Sequence, residues 1–266
     1  MSKWVNIVGA MFLYAVPLQA QPAGPNTAQS EPIEILDIGF SDAGLSGVGG
    51  DRLKATLDDA QFIAIGEDHG FAGAPRLAQA LTREARVFGP LYHAAEVGPA
   101  TMDWIRARLA SNGLKAMQTG LAGKPFAFPF LNNREDAALA DDFDHGRRVW
   151  GIDQEFVGAP TILMDELAKS APDSAIRARL HAIRDADIAS LAKGDFGNIW
   201  LNTADGAEFS ELKTAFAGSA PAQAIIDRFA ESARIYQLNN RGAYLQNNEE
   251  RAALMRGYFL DQYRAA

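Results

Sequence analysis

The chain has 266 residues, no cysteine, and 33 acidic against 25 basic side chains, for a formal net charge of −8. That length supports one large domain with a substantial core. The composition excludes thiol chemistry, disulfides and thiolate metal sites. It also argues against a nucleic-acid partner, because no basic stripe is present to neutralise phosphates.

Residues 1–20, MSKWVNIVGAMFLYAVPLQA, read as an export signal: a basic start at Lys3, an apolar stretch from Trp4 to Leu18, and a small residue, Ala20, at the cleavage point. The stretch is shorter than the roughly 20 residues a membrane span needs, so a cleaved signal is the leading reading and an uncleaved anchor the lesser alternative. Gln21 and the run QPAGPNTAQS then read as a linker. The expected product is an exported, periplasmic protein without a stable membrane span, one unit more negative once Lys3 is removed.

From residue 33 onward the pattern alternates strand and helix. IEILDIGF (33–40) is a first strand. QFIAIG (61–66) is a second, continuously apolar as expected of a strand covered on both faces. Leu77, Ala80, Leu81, Ala85 and Phe88 fall at helical spacing between Ala74 and Phe88, and Gly89-Pro90 ends that helix. LYHAAEVG (91–98) is a third strand, stopped by Gly98-Pro99, with a helix through Trp104, Ile105 and Leu109 after it. RRVWGID (147–153) is a fourth, followed by a helix carrying Ile162, Leu163, Leu167 and Ala168. Such an order predicts an α/β fold, a mostly parallel central sheet flanked by helices. Beyond about Pro172 three amphipathic helices form a helical elaboration, one on Ile176 to Leu191, one on Ile225 to Ala233, one on Leu254 to Phe259. Asn247-Asn248 and Glu249-Glu250 supply a cap and acids for the start of the last one. The expected layout is a single domain over 33–266.

Ligands of parallel sheets bind beyond the carboxyl ends of the strands. There the second strand delivers Glu67, Asp68 and His69, the third Glu96, and the fourth Asp153 with Glu155 just beyond. Glu67 and His69, two apart, point the same way in extended backbone. A carboxylate beside an imidazole orients it and raises its basicity, as a general base requires. The same donors, His69, Glu67 and Glu96, suit a divalent metal. Asp68 is a solvated neighbour. In KPFAFPFLNNRED (124–136), Phe126, Phe128 and Phe130 either wall a lipophilic pocket or plug the core, and Arg134 either pairs with a substrate anion or with Glu96, or is a surface charge. His93 reads as structural, His145 and His181 as solvated. No Gly-x-Ser-x-Gly elbow, phosphate loop or dinucleotide fingerprint is present.

The elements IAIGEDHG, HAAEVGP, PFAFPFLNNRED and VWGIDQEF, with a fainter echo in NNEERAALMRGYF, resemble the superfamily that groups erythromycin esterase-like proteins, ChaN-like haem-binding proteins and the TraB/Tiki proteases. The resemblance spans roughly residues 60–170. It implies that Glu67 and His69 form the first motif, Glu96 the second and Asp153 the third, with His69 activating water for ester hydrolysis; Arg134, Phe128, Phe130 and Glu155 are the candidate substrate contacts beside them. One residue separates Glu67 from His69, whereas the esterase pattern has two. That spacing resembles the ChaN-like branch and implies haem or metal binding without turnover. Relatives of this type continue past the Arg-x-x-Leu-Met helix into a strand that carries a second histidine, and this chain ends at Arg264-Ala265-Ala266. The resemblance therefore also implies a third reading, an inactive truncated homologue with an open sheet edge.

Overall fold

The structure, a computed structural model, describes residues 34–41, 43–66 and 70–266. The export signal, the linker and the triplet Glu67, Asp68 and His69 lie outside the described residues. The chain divides into two compact units, Met1–Pro90 and Leu91–Ala266.

In the first unit, β1 (Gly39–Ser41) and β2 (Gly44–Ser46) pair antiparallel, with Phe40 opposite Leu45. Helices α1 (Gly47–Leu57) and α2 (Gly73–Ala85) pack on this hairpin and bury Leu45, Leu57, Ala80, Leu81 and Ala85. The Glu84 carboxylate on α2 accepts a hydrogen bond from the Leu45 amide at 3.0 Å, which ties helix to hairpin. A single 3-10 turn, Arg86–Phe88, extends α2 to the expected stop at Gly89.

The second unit begins with β3 (His93–Ala95), which pairs parallel with β4 (Val149–Gly151). Between them run α3 (Pro99–Leu121) and α4 (Arg134–Asp142). Pro99 opens α3 where its missing N–H costs nothing, and the helix breaks at Asn112 and Gly113, whose φ of 57° lies in the left-handed region that glycine tolerates. Asn133 caps α4 by accepting from the Asp136 amide at 2.9 Å. Six further α-helices follow among the described residues: α5 (Pro160–Lys169), α6 (Ser174–Ala192), the single turn α7 (Trp200–Thr203), α8 (Gly206–Ala215), α9 (Ala220–Asn240) and α10 (Tyr244–Ala265), the last packed against α9 and β4. The core lies among them. Met102 and Ile105 of α3, Ile162, Leu163 and Leu167 of α5, Leu180 and Leu191 of α6, and Phe229 of α9 are all sealed from solvent, each contributing roughly 1.5 to 3 kcal/mol of apolar transfer.

The expected central parallel sheet is not formed. Helices dominate, and the described residues hold only two two-stranded pairs. QFIAIG is not a strand: residues 61–66 pair with no strand among the described residues, and Ile63 and Ile65 are exposed. A continuous apolar run specifies burial, and only a hydrogen-bonded neighbour turns burial into a strand. Of the first strand only its last two residues, Gly39 and Phe40, fall in β1. The third and fourth shrink to three residues each. The last helix starts at Tyr244, so Asn247 lies inside it and donates from Nδ2 to the Ile235 carbonyl at 2.7 Å rather than capping it.

Candidate functional site

The β3–β4 pairing runs past its short ladder: the Ile152 amide donates to the Ala95 carbonyl at 3.1 Å and the Asp153 amide to the Val97 carbonyl at 3.2 Å. This brings Glu96 and Asp153 to the same, carboxyl-terminal, end of the pair. Gly151 makes the close approach possible, since a Cβ there would stand 2.8 Å from Met102 Cβ and from the Val97 carbonyl.

Arg251, on α10, joins both acids. Its Nε donates to Asp153 Oδ1 at 2.9 Å, its Nη2 donates to Asp153 Oδ2, and Nη2 reaches Glu96 Oε2 at 3.5 Å. The two-point arrangement is the strong, directional form of a guanidinium–carboxylate pair. Asp153 is nearly sealed, and its Oδ1 also accepts from the Gln154 amide at 2.8 Å. The Asp153 hydrogen bonds push the Arg251 pKa further above its already high value, against the cost of burial, so the guanidinium is fixed as a cation. Tyr236, on α9, lies in the same environment: burial first, and the Asp153 charge next, drive its phenol well above its ordinary pKa, while Gln154 hydrogen-bonds it. It is a neutral hydroxyl at any physiological pH.

Helix α10 is held to its neighbours at three heights. Besides the Asn247 bond, Gln262 Nε2 donates to the Gly151 carbonyl of β4 at 2.9 Å, and the Tyr258 hydroxyl donates to Glu231 on α9. Arg228 stacks over the Tyr258 ring at 4.3 Å.

Glu155 faces inward. It is fully buried, and its carboxylate accepts from the Ala100 amide at 2.8 Å, the Thr101 amide at 3.2 Å and the Thr101 hydroxyl at 2.5 Å. A side chain 55 positions away thus caps α3, at the helix end where a negative charge is favoured. Its own amide donates to Ser232 Oγ on α9 at 2.8 Å. Burial nevertheless pushes its pKa up to about 7, opposed by those three donors and by Arg228.

The remaining expected residues scatter. Phe128 is buried in the core against Trp104, with ring centroids 6.1 Å apart, while Phe126 is exposed beside Phe196 and Phe130 is half-buried with φ of 60°. The core-plugging alternative holds for Phe128. Arg134 is exposed at the first turn of α4, and the arginine on Glu96 is Arg251. His93 stacks on Phe143 at 5.3 Å, and burial lowers its pKa to about 4, which leaves it neutral. His145 is exposed and bonded to Asp141 at 2.9 Å. Among the described residues no group of three or more His, Asp or Glu side chains could hold a metal ion, and no helix is long and apolar enough to cross a membrane.

Arg251 and Tyr236 went unmarked in the sequence because each is a single polar residue on an amphipathic helix, far in the chain from the strand ends. The faint echo in NNEERAALMRGYF was the available signal, and Arg251 sits inside it. Comparison with protein-family models, curated proteins and solved structures finds no match for this chain.

Proposed function

We propose that the protein is an exported, hydrolase-like enzyme of the erythromycin esterase/ChaN type that cleaves an ester with assistance from His69. In this reading His69 is the general base, Glu67 orients it, and Glu96 and Asp153 are the acids that close the set. The support is one observation: two carboxylates at the ends of a parallel strand pair share a single clamped arginine. A structural pair needs one acid per arginine. The second acid is half-buried and stands at the longer distance.

The test is hydrolysis of p-nitrophenyl esters by the wild type and by His69→Ala. A positioned general base contributes about 100- to 10,000-fold, so the variant is expected to lose at least about 100-fold in kcat. Equal rates would refute the base role.

The competing reading, haem or metal binding without turnover, draws on the single-residue spacing between Glu67 and His69. Glu96 would be the ligand from the described residues, yet its neighbour is a guanidinium that repels a cation. A haem titration separates the two: a shifted Soret band at micromolar haem favours binding, and an unchanged spectrum favours the hydrolase.

A further inference from the structure

Helices α3, α5 and α9 of the second unit enclose a cleft of about 360 Å³, within the size range of small-molecule sites. Its floor is apolar, with Ala100, Trp104 and Leu163 buried and Ile225 beside them. A guanidinium stands at each end. Arg228 marks the start of α3: Glu155 caps that start through the Ala100 amide, its own amide donates to Ser232 one turn beyond Arg228, and the Arg228 charge reaches its carboxylate. Arg108 lies two turns further along α3 than Ala100, roughly 12 Å down the helix axis. Both cations are held before any ligand arrives. Arg108 stacks over Trp104 and Arg228 over Tyr258, each at 4.3 Å, and a stacked guanidinium keeps its in-plane N–H groups for an anion. Neither has an acid to itself. Arg108 donates from Nη2 to Glu166 at 2.9 Å, but Glu166 also serves Lys169, and Arg108 Nη1 has no acceptor among the described residues. Glu231 Oε2, 3.1 Å from Arg228 Nη1, accepts from the Tyr258 hydroxyl as well. Asp103, on the rim, pairs with Arg106.

We propose that this cleft binds a small dianion with an apolar middle, of the α,ω-dicarboxylate class, with one carboxylate on Arg108 and the other on Arg228. An apolar floor between two fixed cations favours that shape. A monoanion leaves one guanidinium unanswered, and a short dicarboxylate does not reach both. Neither Glu96 nor Asp153 lines the cleft, so the inference stands independently of the ester-hydrolase reading.

The experiment titrates octanedioate into the full chain by isothermal calorimetry, with octanoate and butanedioate beside it. Octanedioate is expected to bind at least about tenfold more tightly than either. Arg108→Gln and Arg228→Gln are each expected to weaken it by at least about tenfold, the scale of one charge-assisted contact. No binding of octanedioate, equal affinity for octanedioate and octanoate, or unchanged affinity in either arginine variant would overturn the proposal. Because both arginines also brace the fold, Ala107→Glu and Ala224→Glu supply a second readout. Both alanines line the cleft and are exposed, so the added carboxylate is expected to repel octanedioate by at least about tenfold with the thermal midpoint unmoved. Undiminished octanedioate binding in both of these variants would place the ligand elsewhere and overturn the site.

Discussion

Arg251 closes two parallel N–H···O bonds on Asp153, a residue 98 positions earlier in the chain, and so ties the last helix to the end of β4. Removing either partner leaves a poorly solvated charge. Losses of about 3 to 5 kcal/mol are typical when one member of a fully buried pair is removed, and the partial exposure of Arg251 scales that down to about 2 kcal/mol here. Urea unfolding of Asp153→Ala, Arg251→Ala and the double variant is expected to show a double-variant cost at least about 1 kcal/mol below the sum of the singles. Additive costs would mean that the clamp carries no coupling.

Glu155 makes stability depend on pH in the direction opposite to an ordinary ion-paired carboxylate. Its folded pKa is raised from 4.5 to about 7 by burial, so between those values the unfolded chain releases its proton first. The stabilisation is fully present below about pH 4.5 and is lost as pH rises through about 7, an effect of up to about 3 kcal/mol. Chemical denaturation at intervals from pH 4.5 to 8 is expected to show this decline in the wild type and a flatter profile in Glu155→Gln. The same slope in both would place the effect elsewhere.

Asp187 on α6 is buried with its Oδ1 accepting from the Trp200 amide at 2.8 Å, while its Oδ2 and Trp200 Nε1 find no partner among the described residues. Burial raises its pKa to about 6, so above that pH the structure carries a sealed charge with a bare oxygen. Asp187→Asn keeps the acceptor and removes the charge. At pH 8 it is expected to unfold at an equal or higher temperature, by up to about 2 kcal/mol in stability. A loss larger than that would show that the charge itself is needed.

Gly158 lies under the aromatic loop, where an added Cβ would stand 1.9 Å from the Phe126 carbonyl oxygen. The obstacle is backbone, and Phe126 already holds a positive φ of 54°, so neither side can yield cheaply. Gly158→Ala is expected to cost about 3 kcal/mol, at the upper end for overpacking, read as a lowered midpoint in thermal unfolding. An unchanged midpoint would show that the loop relaxes freely.

Helical periodicity located α2, α3, α5, α6, α9 and α10 from the chain alone, because the apolar stripe that buries a helix is written in consecutive residues such as Ile162, Leu163, Leu167 and Ala168. A strand exists only through its neighbour, and neither the isolation of QFIAIG nor the three-residue length of β3 and β4 can be read locally. Of the site, the acids Glu96 and Asp153 were legible as strand ends. Arg251 was not, since its role is set by docking α10 onto β4 across nearly a hundred residues. Glu155 was legible as a polar residue in the right place, but its inward turn onto α3 depends on Gly98, where a Cβ would meet its carboxylate at 2.3 to 2.5 Å.

Glu96 offers the cleanest separation of chemistry from stability. Its 3.5 Å link to Arg251 is half-exposed and contributes at most about 1 kcal/mol, so Glu96→Gln leaves the Asp153 clamp intact. The deciding measurement is kcat/KM for p-nitrophenyl acetate in wild type and Glu96→Gln, beside their thermal midpoints. The expected result is a loss of at least about tenfold with nearly the same midpoint. Undiminished kcat/KM in a normally folded Glu96→Gln would contradict the assignment of the paired strand-end acids to catalysis.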